Sequence, residues 1–131
     1  MSAPQTHLRI NSGLCGTPVR LADGLAEVRL EVVPAMAVDD QGLVHGGFVF
    51  GLADHAAMLA VNDPNVVLSA ASTRFLRPLR VGDVVVASAV RGAVQGRKHT
   101  VTVEVRRGDE PVMTGEFLCV VLDRHVLAPG T

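Results

Sequence analysis

Hydrophobic and polar positions along the chain change period twice. Ala26, Val28, Leu30 and Val32 alternate with Glu27, Arg29 and Glu31, a period of two that predicts a strand with one face on a core and the other in water. Pro34 ends that run, and Asp39, Asp40, Gln41 and Gly42 have the composition of a connecting loop. Residues 45–61 then read HGGFVFGLADHAAMLAV, which predicts a helix stopped by the turn chemistry of Asn62, Asp63 and Pro64. Beyond Pro64, strand patterns return over 66–76, 83–90, 100–106 and 111–122, separated by short Gly- and Pro-containing turns. The spacing predicts that these strands are consecutive antiparallel neighbours. The nearly all-apolar run 84–90 reads as a central strand covered on both faces. One helix amid five or six strands predicts an α+β domain.

The predicted helix is unusual. Phe48, Val49, Phe50, Leu52, Ala53, Ala56, Ala57, Met58, Leu59, Ala60 and Val61 surround its whole circumference, so it is expected to be enclosed. At 1.5 Å per residue it is about 24 Å long, too short to span a bilayer and suited to a core helix wrapped by a curved sheet. Past His45 its only ionisable groups are Asp54 and His55. A buried charged Asp costs several kcal/mol unless it is neutralised, paired (with Arg74, for example) or facing a cavity that holds water or ligand. The last option is a functional one. His55 points about 100° away and reads as a structural histidine. At the helix start, Gly46 and Gly47 leave backbone N–H groups open at the positive end of the dipole, a ready site for an oxyanion, although glycines also serve tight packing or a sharp turn. His45 reads as a cap or brace of the loop.

Composition narrows the classes. The 131 residues make one domain spanning 1–131, with 1–12 and 125–131 as expected loose ends. Twelve Lys and Arg against thirteen Asp and Glu give a net charge of −1, and there are four Phe with no Trp or Tyr, so no field or stacking platform favours nucleic acid. Cys15 and Cys119 form no metal or disulfide pattern, and no metal site is expected. No leader features or spanning run are found, which makes cytoplasm the expected location and a membrane partner unexpected.

Residues 42–54, GLVHGGFVFGLAD, followed by 72–83, STRFLRPLRVGD, resemble the hotdog-fold acyl-CoA thioesterases of the phenylacetyl-CoA thioesterase type over about 80 residues beginning at Asp39. The resemblance implies a long helix wrapped by a curved antiparallel sheet of five to six strands, paired into homodimers and often tetramers. It also implies hydrolysis of acyl-CoA without a cofactor, CoA being part of the substrate. By position the carboxylate is Asp54, as base or nucleophile, and the carbonyl-polarising donor is Gly47, with Gly46 beside it. Some relatives carry Asn six residues before the His, where this chain has Asp39; Gln41 is a candidate for its orienting role, and an anion at 39 would raise the pKa of a facing base.

Independently of the resemblance, Gly47 and Asp54 stand about 10 Å apart along one helix and cannot both touch one carbonyl. Two antiparallel helices across a two-fold axis can bring them together, which predicts a site shared between subunits. The resemblance implies that Arg97 and Lys98, near a predicted hairpin where relatives often contact CoA, meet the CoA phosphates, with Arg74, Arg77 and Arg80 as a weaker set. Ser69 and Ser72 are candidates to bind water near the carboxylate. Phe48, Phe50 and Met58 are candidates to line an acyl tunnel beside the small residues Ala56, Ala57 and Ala60. The rival reading from another class is a hotdog module that binds acyl-CoA or another acylated thiol or partner as a sensor or regulator without hydrolysing it. A hydratase would need a His with an acidic partner, a pairing the sequence does not suggest.

Overall fold

The structure, a computed structural model, describes residues 2–130. A short helix α1 (Ser12–Cys15) leads into strands β1 (Thr17–Ala22) and β2 (Leu25–Glu31), the long helix α2 (Gly46–Val61), and strands β3 (Val66–Phe75), β4 (Val84–Gln95), β5 (Lys98–Arg107) and β6 (Glu110–Val121). The strands form one antiparallel sheet in the order β1-β2-β4-β5-β6-β3. It curves around α2 in the hotdog arrangement.

Alternation places the core. On β5, Val101, Val103 and Val105 are fully buried against the helix, while Thr102 and Arg106 face outward. Phe117 on β6 is also fully buried, with its ring 5.5 Å from that of Phe50 on α2, and this contact ties sheet to helix. Phe117→Ala is therefore expected to cost about 3–5 kcal/mol, read as a lower midpoint in urea unfolding.

Two expectations are corrected. β3 does not neighbour β4; it crosses to the far edge and pairs with β6. The connection 76–83 closes one end of the curved sheet: Leu79 is buried, and its carbonyl accepts from Val44 N–H just before α2. Eight residues reach over 20 Å when extended, enough to pass the roughly 14 Å occupied by β6 and β5. β4 is central, as expected, but covered on one face only. Val85, Ala87 and Ala89 are buried, whereas Val84 and Val90 are 37% and 52% exposed. The strand β1 carries only one buried residue, Leu21, and includes Pro18, so its sequence gives no strand signal; a proline is tolerated because β1 is an edge.

Most of α2 is enclosed, as its composition predicts, but one stripe through Gly47, Phe50, Gly51 and Asp54 is only partly covered. Asn62 ends the helix in the left-handed conformation (φ 54°), its N–H donating to Met58 O. Its side chain also anchors the N-terminal segment, accepting from Gln5 N–H (2.8 Å) and donating to Ala3 O (3.0 Å), so residues 2–10 are tied down despite having no regular structure.

Candidate active site

At the start of α2 the two glycines play different parts. His45 is the N-cap, and its Nδ1 accepts from the Gly47 N–H at 2.7 Å. A side-chain carbon on Gly47 would stand 2.7 Å from that nitrogen, so glycine is needed for the imidazole to close over the helix end. The expected donor Gly47 is thus already engaged. Gly46, the first helical residue, has no intrahelical acceptor for its N–H, and no other acceptor for it is found among the described residues. The free donor is Gly46, with His45 in the bracing role. His45→Ala is expected to destabilise the protein by about 1 kcal/mol, seen as a lower urea midpoint at unchanged slope.

Two turns on, Asp54 lies in the open stripe. Its Oδ1 is buried and has no hydrogen-bond partner, so Arg74 does not neutralise it. Burial raises its pKa above the usual carboxylate range, opposed by the neighbouring His55. Asp39 plays no part in that shift. Both cysteines feel the acid: burial first, and then the Asp54 charge, raise the Cys15 thiol, and the same two causes push Cys119 up to about 12. Cys15 is half-buried on α1 and Cys119 buried on β6, and no group donates to the buried Asp54 Oδ1. His55 is buried and its Nδ1 lies 3.1 Å from Cys15 O, a bond that fastens α1 to α2; the histidine is structural, as expected. Burial is the first cause of its lowered pKa.

The remaining candidates are dispersed. Asp39 Oδ1 accepts from Gln41 N–H (3.0 Å) and Leu43 N–H (3.1 Å), which shapes the loop before the helix. Asp39 and Gln41 line a surface cleft of about 510 Å³ with Arg80, Asp83 and Arg107. Ser72 is corrected outright. A bulge between Leu68 and Ala70 shifts the parity of β3, so Ala71 and Thr73 pair with inward-facing Phe117 and Gly115, while Ser72 pairs with exposed Glu116 on the outer face. Ser69 lies at the bulge itself and is exposed.

Arg97 pairs with Asp123 at 2.7 Å, and exposed Lys98 begins β5. Both are beside Val121 and the connection after α2, at the helix end opposite Gly46. Arg77 pairs with Glu110, and Arg107 with Asp83 and Glu110. Phe75, which sequence reasoning passed over, does reach the site: its ring packs against Gly46. The motif around it was legible, but its contact across the fold was not. Among the described residues, no three His, Cys, Asp or Glu side chains gather as metal ligands, and no helix is long and apolar enough to cross a membrane.

A six-stranded antiparallel sheet curved around one long, mostly enclosed helix defines a hotdog protein. Residues 41–114 match the thioesterase superfamily, and the chain belongs to that family. The crystal structure of the protein PH1136 from Pyrococcus horikoshii superposes with a TM-score of 0.96 at 50% identity, covering 97% of this chain and 98% of that one. Methylthioribose-1-phosphate isomerase from Aquifex aeolicus is 50% identical over 90% of this chain and 26% of its own length. The transcription factor FapR from Shouchella clausii is 33% identical over 66% of this chain and 46% of its own. The chain thus spans between about a quarter and a half of these two relatives.

Proposed function

We propose that this chain hydrolyses acyl-CoA thioesters at sites shared between two copies of itself. The observation that carries the reading is the Asp54 carboxylate, one oxygen of which is buried without a hydrogen-bond partner, on the open stripe of the same helix that begins with the free Gly46 N–H. An unsatisfied buried acceptor is costly unless something comes to it, and a water or a thioester carbon is what a carboxylate base or nucleophile would meet. Eight residues separate the two groups, about 12 Å along the helix, so one chain cannot aim both at one carbonyl.

A second copy resolves this. β3 forms the sheet edge, ten residues long and mostly exposed from Ser69 to Phe75, with unpaired backbone groups on its outer side. Pairing β3 with β3 of a two-fold-related copy would extend the sheet and set the two α2 helices side by side and antiparallel. Gly47 and Gly51 would let them approach closely. Asp54 of one copy would then lie level with Gly46 of the other, giving two equivalent sites. The Gly46 N–H would bond the thioester oxygen as charge builds on it. Asp54 would take a proton from a water that adds to the carbonyl carbon, or attack that carbon to form an anhydride that water then cleaves to the free acid; either way the C–S bond breaks and the CoA thiolate leaves with little help because thiols are acidic.

A second reading has its own support in the similarity to the transcription factor FapR, whose name describes a regulator. On that reading the chain binds acyl-CoA as a sensor. The experiment is thiol release over a panel of acetyl-, butyryl-, benzoyl-, phenylacetyl- and palmitoyl-CoA, with calorimetric binding in parallel. Release that saturates with substrate supports the enzyme; tight binding without release overturns it in favour of the sensor. The acids and histidines do not suit a hydratase, since His45 is occupied by Gly47 N–H and His55 by Cys15 O.

A further inference from the structure

The Phe75 ring stands beside the Gly46 backbone at the start of α2. A side-chain carbon built on Gly46 would lie 3.4, 3.7 and 3.8 Å from the ring atoms Cε1, Cδ1 and Cζ of Phe75, so the gap between the glycine and the ring is about one methyl group wide. Phe75 closes β3 opposite buried Met113, on the inward face, yet 53% of its surface is exposed. It is therefore not held there by core packing alone. Leu76 and Leu43 nearby are 49% and 42% exposed, and the Phe48 ring meets that of His45 edge-on at 6.2 Å. The Phe75 ring is thus the apolar group that meets the backbone at this free N–H.

We propose that Phe75 determines acyl specificity, admitting groups whose first carbon beyond the carbonyl is unbranched and excluding branched or directly attached aromatic ones. The inference rests on the thioesterase reading above. A carbonyl oxygen accepting from Gly46 N–H sits about 2.9 Å from that nitrogen. On this proposal the next carbon of the acyl group lies on the Cα side of that N–H, where the Phe75 ring stands a methyl group's width from Gly46. A methylene fits the one-methyl gap; a second substituent on that carbon overlaps the ring and must displace it. Phe75 acts here by shape and not by chemistry, so its removal changes which substrates are accepted more than how fast the bond is broken.

The test compares butyryl-CoA with isobutyryl-CoA and benzoyl-CoA for the wild type, Phe75→Ala and Phe75→Leu, reading kcat/KM for each. The wild type is expected to prefer butyryl-CoA on the order of tenfold or more. In Phe75→Ala that ratio should fall towards one, chiefly because the branched and aryl substrates improve, with Phe75→Leu in between. Because the side chain is half exposed, thermal midpoints should stay within a few degrees of wild type, which separates the effect from unfolding. A ratio unchanged within about twofold overturns the proposal. If the wild type turns over neither these three nor acetyl-, phenylacetyl- and palmitoyl-CoA, the thioesterase reading fails by itself. The same ratio read from dissociation constants then decides Phe75, and absence of any binding overturns it as well.

Discussion

Asp54→Asn is expected to lower kcat at least about 10²-fold, measured as thiol release at saturating acyl-CoA, while leaving the fold intact. Asn matches the carboxylate in shape but neither takes a proton from water nor attacks a carbonyl. The pH behaviour adds a second readout. Burial holds the Asp54 pKa above the usual carboxylate range, with His55 pulling weakly the other way. The base must be ionised to act, so wild-type activity should fall on acidification at a pH above that of an ordinary carboxylate. Stability runs in the opposite sense. The folded protein takes up this proton more readily than the unfolded chain, so the stabilising contribution is complete below the ordinary carboxylate pKa and is lost as pH rises through the raised value. Asn carries no such loss. The variant should therefore unfold at a higher temperature than wild type at neutral pH, with the difference vanishing below about pH 4. Wild-type turnover in the Asn variant would remove Asp54 from the chemistry, whatever its stability.

Mixing two inactive variants is expected to restore activity. Gly46→Pro deletes the one free N–H at the first helical position, where proline is well accepted and the preceding His45 already has extended backbone, φ −64° and ψ 128°. It should lose about 10²-fold in kcat, the scale of removing a single oxyanion donor. Unfolding the Asp54→Asn and Gly46→Pro chains together and refolding them yields mixed pairs in about half of all dimers, each with one intact and one doubly damaged site. About a quarter of wild-type activity should return. Recovery to that level requires Gly46 and Asp54 of different chains at one carbonyl. If the mixture stays as inactive as its components, the shared site is wrong even if each single variant behaves as expected.

The local elements were legible because their causes are local. A switch from period two to an all-round apolar run, stopped by Asn62, Asp63 and Pro64, encodes α2 within a few turns of chain, and the Val-rich alternation around Val101–Val105 does the same for β5. The lone acid on that helix stood out for the same reason: a charge among apolar neighbours is visible without coordinates. Its burial without a partner agrees with that reading.

What only the tertiary structure decided depends on contacts between distant residues or on single backbone adjustments. The edge position of β3 follows from pairing with β6, some fifty residues away, which no local pattern records. One bulged residue at Ser69 reverses the parity of everything after it on the strand, sending Ser72 outward and Thr73 inward. One imidazole rotamer consumes the Gly47 N–H and leaves Gly46 as the donor, although the two glycines are indistinguishable in the sequence. Arg97 and Lys98 belong to a hairpin whose composition is plain, but only the fold puts it at the helix end remote from Gly46. Residue identity and periodicity thus determined the helix, most of the strands and the acid; pairing, parity and hydrogen-bond occupancy, which are properties of the assembled chain, decided which donors and side chains stand near that acid.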